Sequence, residues 1–185
     1  SSSESSSIDF DYTNITHYFD VSSLDLENSQ WLNTLNGDEN FVLTGGTVED
    51  NSLKLSPSEY GQLTCDLPST IHIVVKKPIN ENDGACLLGK GLSVSSGTSR
   101  AFGVWSGQNY NFYCSIAGSP YIASSIENDD SYHVLSLIHC PDINTNGMDS
   151  VVFFVDGVFQ GFLTTSYHSS NYSGFMTLNC AYYAS

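Results

Sequence analysis

Tyr132-His133-Val134-Leu135-Ser136-Leu137-Ile138-His139-Cys140, a polar run from Pro141 to Asp149, and Val151-Val152-Phe153-Phe154-Val155-Asp156-Gly157-Val158-Phe159-Gln160-Gly161-Phe162-Leu163 form the stretch that decides the fold. Asp-Gly between two runs of β-branched and aromatic residues marks a two-residue hairpin. A type I′ turn needs positive φ at both central positions, and Asp and Gly tolerate it. The predicted register sets Val155 opposite Val158, Phe154 opposite Phe159, Phe153 opposite Gln160 and Val151 opposite Phe162, with an apolar row on each face. Such a hairpin is expected at the centre of its sheet. A second sheet should cover one face, and a loop, a partner or a ligand the other.

Working outward, short apolar runs recur between clusters of Gly, Asn, Asp, Ser and Pro. Twelve strands are predicted: Phe41–Leu43, Ser52–Leu55, Gly61–Cys65, Thr70–Lys76, Ala85–Lys90, Ala101–Ser106, Asn109–Ile116, Tyr121–Ile126, His133–Cys140, Ser150–Val155, Val158–Thr164 and Phe175–Asn179. This spacing argues an all-β sandwich or barrel. Alternation supports it: Tyr110, Phe112, Cys114 and Ile116 face one way, and Asn109, Asn111, Tyr113 and Ser115 the other. Residues 1–7 are a serine tract with one Glu and read as a disordered lead-in, leaving 8–185 as one domain. The aromatic segment Asp9 to Val21 has the residues for an edge strand. Leu24, Trp31, Leu32 and Leu35 stand near helical spacing and predict one or two helical turns over Leu24 to Leu35.

The chain has 185 residues, 40% of them hydrophobic, with 11 Tyr, 10 Phe and 2 Trp, enough for one sizeable core. Twenty acidic residues against five Lys and Arg leave a net charge of −15. A surface of that sign repels phosphate backbones and anionic headgroups, so nucleic acid and membrane surfaces are poor partners, and no apolar stretch predicts membrane insertion. A neutral ligand or a cation such as calcium fits better. The chain begins at Ser and is expected to be a domain of a longer protein. Its five cysteines, Cys65, Cys86, Cys114, Cys140 and Cys180, lack metal-site spacing. They read as buried thiols, or as one or two bridges with a thiol left over. Two sequons, Asn14-Ile15-Thr16 and Asn171-Tyr172-Ser173, are consistent with secretion.

The succession Gly45-Gly46-Thr47-Val48, Ser52-Leu53-Lys54-Leu55, Tyr60-Gly61-Gln62-Leu63, Ile71 to Pro78, Leu87-Leu88-Gly89-Lys90-Gly91, Phe102-Gly103-Val104-Trp105, Tyr132-His133-Val134 and Phe154-Val155-Asp156-Gly157 resembles the laminin-G-like, concanavalin A-like jelly roll. The resemblance covers Phe41 to Leu163 and implies two antiparallel sheets in a sandwich. The family's last strand has no visible counterpart after Asn179. A second resemblance lies in the tail: Thr164-Thr165-Ser166-Tyr167-His168-Ser169-Ser170-Asn171-Tyr172, followed by Cys180-Ala181-Tyr182-Tyr183, is similar to the closing segment of the rotavirus spike head, a galectin-like sandwich that binds cell-surface glycans. It implies sugar contacts at Tyr167 and Ser169, with an Arg elsewhere, for which Arg100 is the candidate.

Glycosidases on such sandwiches take two facing carboxylates from one strand. No strand here carries Glu-x-Asp-x-Glu or Glu-x-x-x-Glu, and Glu127, Asp129 and Asp130 fall in a turn. The five histidines form no metalloprotease or nucleophile-elbow motif; His133 alternates with Leu135, Leu137 and His139 along one face and reads as structural. The chain is therefore expected not to be an enzyme and to need no cofactor. Calcium remains an alternative, with Asp129 and Asp130 as hard oxygen ligands. Sugar recognition needs an aromatic ring beside Asn, Ser and Tyr groups. Trp105, Gln108, Asn109 and Tyr110 supply these around one turn, and Tyr167, His168, Ser169 and Tyr172 supply a second cluster. The expectation is a lectin-like module of a larger extracellular or virion-surface protein that binds a glycan or glycoprotein receptor, its oligomeric state left open. The alternatives are a protein-interaction module without a sugar site and a glycan hydrolase.

Overall fold

The computed structural model describes residues 13, 15–56, 58–65, 70–76, 86–91, 100–106, 111–116, 121–127, 129–144, 148–165 and 175–180, with backbone alone at 86, 90–91, 100–106, 115–116, 141–144, 148–149, 165, 175 and 180. The chain is all-β. Among the described residues, after a 3-10 turn at Val21–Ser23 come β1 (Leu24–Asp25), β2 (Gln30–Trp31), β3 (Phe41–Leu43), β4 (Thr47–Glu49), β5 (Ser52–Lys54), β6 (Gly61–Thr64), β7 (Thr70–Val75) and β8 (Cys86–Gly91). They are followed by β9 (Arg100–Ser106), β10 (Asn111–Ile116), β11 (Tyr121–Glu127), β12 (His133–Asn144), β13 (Met148–Val155), β14 (Val158–Thr165) and β15 (Phe175–Cys180). All twelve predicted strands are present. Among the described residues no helix is long and apolar enough to cross a membrane.

The strands form a nine-stranded sheet in the order β1-β2-β3-β6-β15-β8-β9-β10-β11, a four-stranded sheet in the order β14-β13-β12-β7, and the separate hairpin β4-β5. Every pairing is antiparallel. The period of two along each strand sends Leu43, Leu63, Leu88, Phe112, Cys114, Ile122, Met176 and Leu178 from the large sheet, and Leu135, Leu137, Val151, Phe153 and Val155 from the small one, into one shared core. Phe112 of the large sheet meets the His133 ring of the small one edge-on, with centroids 5.1 Å apart. His133 and His139 are buried with Leu135 and Leu137, so the inward row of β12 is the one its alternation predicts.

Cys114 lies fully inside this core, where burial pushes its thiol far above the ordinary range. The thiolate is the reactive form. Treating the native protein with iodoacetamide is expected to leave Cys114 unmodified and to modify it once the chain is denatured, as peptide mass mapping will show.

The β13–β14 hairpin turns at Asp156 (φ 51°) and Gly157 (φ 76°), as a type I′ turn requires. Val155 pairs with Val158 and Phe154 with Phe159, as predicted; beyond that the register slips by one, so Phe153 faces Gly161, Val152 faces Phe162 and Val151 faces Leu163. Gly161 makes the slip possible: its φ of 152° is a conformation side chains rarely adopt, and a Cβ there would lie 3.1 Å from Ile122 Cγ2. The bulge frees the Gln160 side chain, whose Oε1 accepts from the backbone N–H (2.7 Å) and hydroxyl (3.0 Å) of Ser125. It thereby closes β14 onto β11, the outer strand of the large sheet.

Four expectations are corrected. Leu24 to Leu35 is not helical: Leu24 pairs with Trp31 and Asp25 with Gln30. Trp31 packs near Phe19 and Phe41 and donates from its indole to Asp20 O at 2.7 Å, while Asp25 accepts from Asn28 in the intervening turn. These contacts outweigh a weak helical spacing too short to be stable alone. The segment Asp9 to Val21 forms no edge strand among its described residues, 13 and 15–21: Tyr18 N–H donates to the Asn33 side chain at 3.0 Å, and Tyr18 O accepts a backbone bond from Thr34 N at 2.9 Å. The decisive hairpin is not central, because β14 is an edge strand of the order β14-β13-β12-β7, and its outer face is not covered, since Phe159 is 57% and Phe162 67% exposed. The final strand β15 sits within the large sheet, between β6 and β8, which no local feature of its sequence announces.

Candidate functional site

Two of the expected sugar-binding residues, Arg100 and Trp105, stand at opposite ends of β9. At one end Trp105 pairs with Tyr113, and Tyr113 pairs with Ala123 of β11. Phe112 and Cys114 point into the core, so the intervening Tyr113 faces outward. Its ring meets Tyr121 edge-on at 5.5 Å, and Tyr121 is 60% exposed. Trp105 therefore occupies the register position next to a tyrosine pair on the outer surface of the large sheet. Gln108, Asn109 and Tyr110, in the connection between β9 and β10, lie outside the described residues.

At the other end Arg100 pairs with Gly91, Gly91 with Phe175, and Phe175 with Thr64. Arg100 and Trp105 are five residues apart on one strand, about 17 Å, too far to share a single sugar ring. Tyr167, His168, Ser169 and Tyr172 lie outside the described residues, but the chain that carries them re-enters the sheet at Phe175, two strands from Arg100. The fold thus sets Arg100 in register with Gly91 and Phe175, and Trp105 at the far end of β9.

The row from Arg100 ends at a shallow cleft that sequence reasoning missed. Asp38, Glu39, Asn40, Val42, Gln62 and Thr64 line about 280 Å³. Glu39 is held by His17 at 2.6 Å, and the Asn40 side chain is bonded to Asn33 N and Gly37 O. Gln62 and Thr64 alternate with the buried Gly61 and Leu63 and face outward. No spacing could have found this cleft, because residues 38–42 and 62–64 meet only through the β3–β6 pairing. Tyr113 was legible as a residue of the wet face, but its contact with Tyr121 required the register.

Asp129 and Asp130, the calcium candidates, do not converge. Asp129 Oδ1 accepts from Ser131 N at 3.0 Å and stands 3.0 Å from His133 Nε2, whereas Asp130 is exposed with φ 67°. The His133 hydrogen bond, followed by that from Ser131, holds the Asp129 carboxyl below its ordinary value. Among the described residues no three His, Cys, Asp or Glu side chains gather closely enough to hold a metal ion.

The exposed face of the small sheet is a different surface. Val74, Val134, Ile138, Val152, Phe154, Phe159 and Phe162 form apolar rows across its four strands, around the His72–Ser136 hydrogen bond of 2.8 Å. Val74 is 64% exposed, and none of these residues is a carboxylate in a chain that has twenty acidic side chains.

No known protein family, curated protein or solved structure matches this chain.

Proposed function

We propose that the chain is a non-catalytic carbohydrate-recognition domain with jelly-roll connectivity, carried by a larger extracellular or virion-surface protein and used for attachment to cell-surface glycans. The observation that carries this reading is the outward Tyr113–Tyr121 pair beside the register position of Trp105. An aromatic face offers a sugar's C–H groups an apolar platform, and Tyr adds a hydroxyl. The net charge of −15 favours neutral glycans over anionic ones. The galectin-like resemblance of the tail supports an alternative site, with Arg100, Tyr167 and Ser169.

A glycan-array screen with and without calcium tests the reading. Selective binding is expected, and Tyr121→Ala, at an exposed position, is expected to weaken the best hit about tenfold, equivalent to about 1.4 kcal/mol, while leaving thermal stability unchanged. Trp105→Ala tests the same end, and Arg100→Ala and Gln62→Ala the other. If only the second pair weakens binding, the site lies at the Arg100 end. A blank array from folded protein under both conditions excludes the lectin reading.

The uncharged apolar face of the small sheet favours a second reading, a protein-interaction module. The occupant this face fits is a protein surface that is apolar at its centre and basic at its margin, because the chain around it is strongly acidic. Phe162→Ser is expected to abolish such docking without changing glycan binding.

A further inference from the structure

His133 opens β12 on the inward side and is 6% exposed. Its Nδ1 stands 2.7 Å from Asp156 Oδ2 and its Nε2 3.0 Å from Asp129 Oδ1. A neutral imidazole has one N–H and can donate to only one of them. Two carboxylate acceptors require two donors, so the geometry is that of an imidazolium. Each carboxylate is also tied to backbone: Asp156 Oδ1 accepts from Val134 N at 2.8 Å, and Asp129 Oδ1 accepts from Ser131 N at 3.0 Å. The ring therefore joins the loop before β12 to the β13–β14 turn across the end of the small sheet.

We propose that Asp129, His133 and Asp156 form a proton-operated latch, closed while the imidazole carries both protons and loosened at the Asp129 loop when one is lost. The loss leaves a buried ring facing two carboxylates with a single N–H. Asp156 keeps its bonds to Val134, since Asp156 N also donates to Val134 O at 2.8 Å, so the exposed Asp129 arm opens first.

Among the described residues the surroundings supply no competing charge at the ring. From β10 it meets the uncharged Phe112, and on β7 its register partner is Val75. The neighbouring Lys76 ammonium sits over the Tyr132 ring, 5.7 Å from its centroid. From the β4–β5 hairpin, Ser52 meets the Tyr132 hydroxyl, and Glu49 and Lys54 of that hairpin pair with each other. Asp130, in the loop itself, is exposed.

Burial acts against the charged ring, but the hydrogen bonds and charges of Asp156 and Asp129 outweigh it and raise the His133 pKa above its ordinary 6.5. Burial likewise opposes the charge of Asp156, and the bonds from His133 and Val134 outweigh it, so its carboxyl falls below the ordinary 3.8, as does that of Asp129. The histidine's stabilisation is thus full below pH 6.5 and lost as pH rises through its higher folded-state pKa. That of the carboxylates is present above pH 3.8 and lost as pH falls through their lower folded-state values. The latch is closed between these limits.

Nitrogen-detected NMR of the imidazole, combined with amide hydrogen exchange between pH 5.5 and 9, tests this in the intact chain. The expected result is a doubly protonated His133 ring at pH 6. Protection at Ser131, corrected for the intrinsic pH dependence of exchange, should fall by about tenfold for each unit by which the folded-state pKa exceeds the ordinary one. In His133→Gln that protection is expected to lose its pH dependence. Asp129→Asn, on the exposed arm, guards against a variant that does not fold, and is expected to lower the His133 pKa. A singly protonated ring at pH 6, Ser131 protection that does not change with pH, or an unchanged His133 pKa in Asp129→Asn each overturns the proposal.

Discussion

Phe153→Ala lowers the free energy of unfolding by about 3–5 kcal/mol, the usual loss when a large buried aromatic ring is truncated. Phe153 is fully buried on β13, between Leu137 of β12 and Gly161 of β14, and belongs to the core that the two sheets share. Its removal takes away apolar burial and leaves a cavity that neighbours on two sheets cannot easily fill. Set against a typical total of about 5–15 kcal/mol, the loss is a large fraction of the fold's stability. Urea denaturation should show a lower midpoint at an unchanged slope. Phe162→Ala supplies the comparison: it removes the same ring from the next strand of the same hairpin, but from a side chain 67% exposed, and should change stability by no more than about 0.5 kcal/mol. Equal losses in the two variants would show that the buried face has been assigned to the wrong row.

Gly161→Ala is expected to cost about 1–3 kcal/mol, the range for a side chain forced into a sparsely populated backbone conformation. Gly161 has φ 152°, and the new methyl would stand 3.1 Å from Ile122 Cγ2. Ile122 is buried on β11 next to Tyr121, so the contact presses on the strand that carries the proposed sugar platform. Glycan affinity should therefore fall together with stability. Gly157→Ala separates strain from contact, because its φ is 76° but no atom lies within 4 Å of the added Cβ. It should cost about 1 kcal/mol and leave binding unchanged. If Gly161→Ala binds glycan like the parent protein, β11 does not depend on its packing against β14.

Much of the fold was legible along the chain. Period-two alternation marked Phe112 and Cys114 as core and Tyr113 as surface, and Asp156-Gly157 marked a turn whose two positive φ values the structure contains. The first two pairs of the hairpin followed from the turn, because a two-residue loop leaves no freedom there. The register then slipped at Gly161, where the space that a missing Cβ leaves beside Ile122 decides the outcome, and Ile122 belongs to a strand of the other sheet. Local reading failed in the same way at Leu24 to Leu35, where Phe19 and Phe41 draw Trp31 into an aromatic cluster that no helical spacing encodes.

The candidate sites divide along the same line. Trp105 and Arg100 were recognisable as chemistry, but their distance along one strand assigns them to different ends of the sheet, and the Gln62–Thr64 cleft exists only because β3 pairs with β6. His133 was recognisable as an inward residue of β12, whereas its two carboxylates come from separate turns. By itself the sequence determined the all-β class, the places of most strands, the acidic surface and the residues able to face a core, because these depend on backbone preferences and side-chain periodicity within a few residues. Only the tertiary structure decided which strands are neighbours, where β15 inserts, and which rings and carboxylates meet. Those outcomes depend on burial and hydrogen bonding between segments far apart in the chain, whose joint free energy no local pattern records.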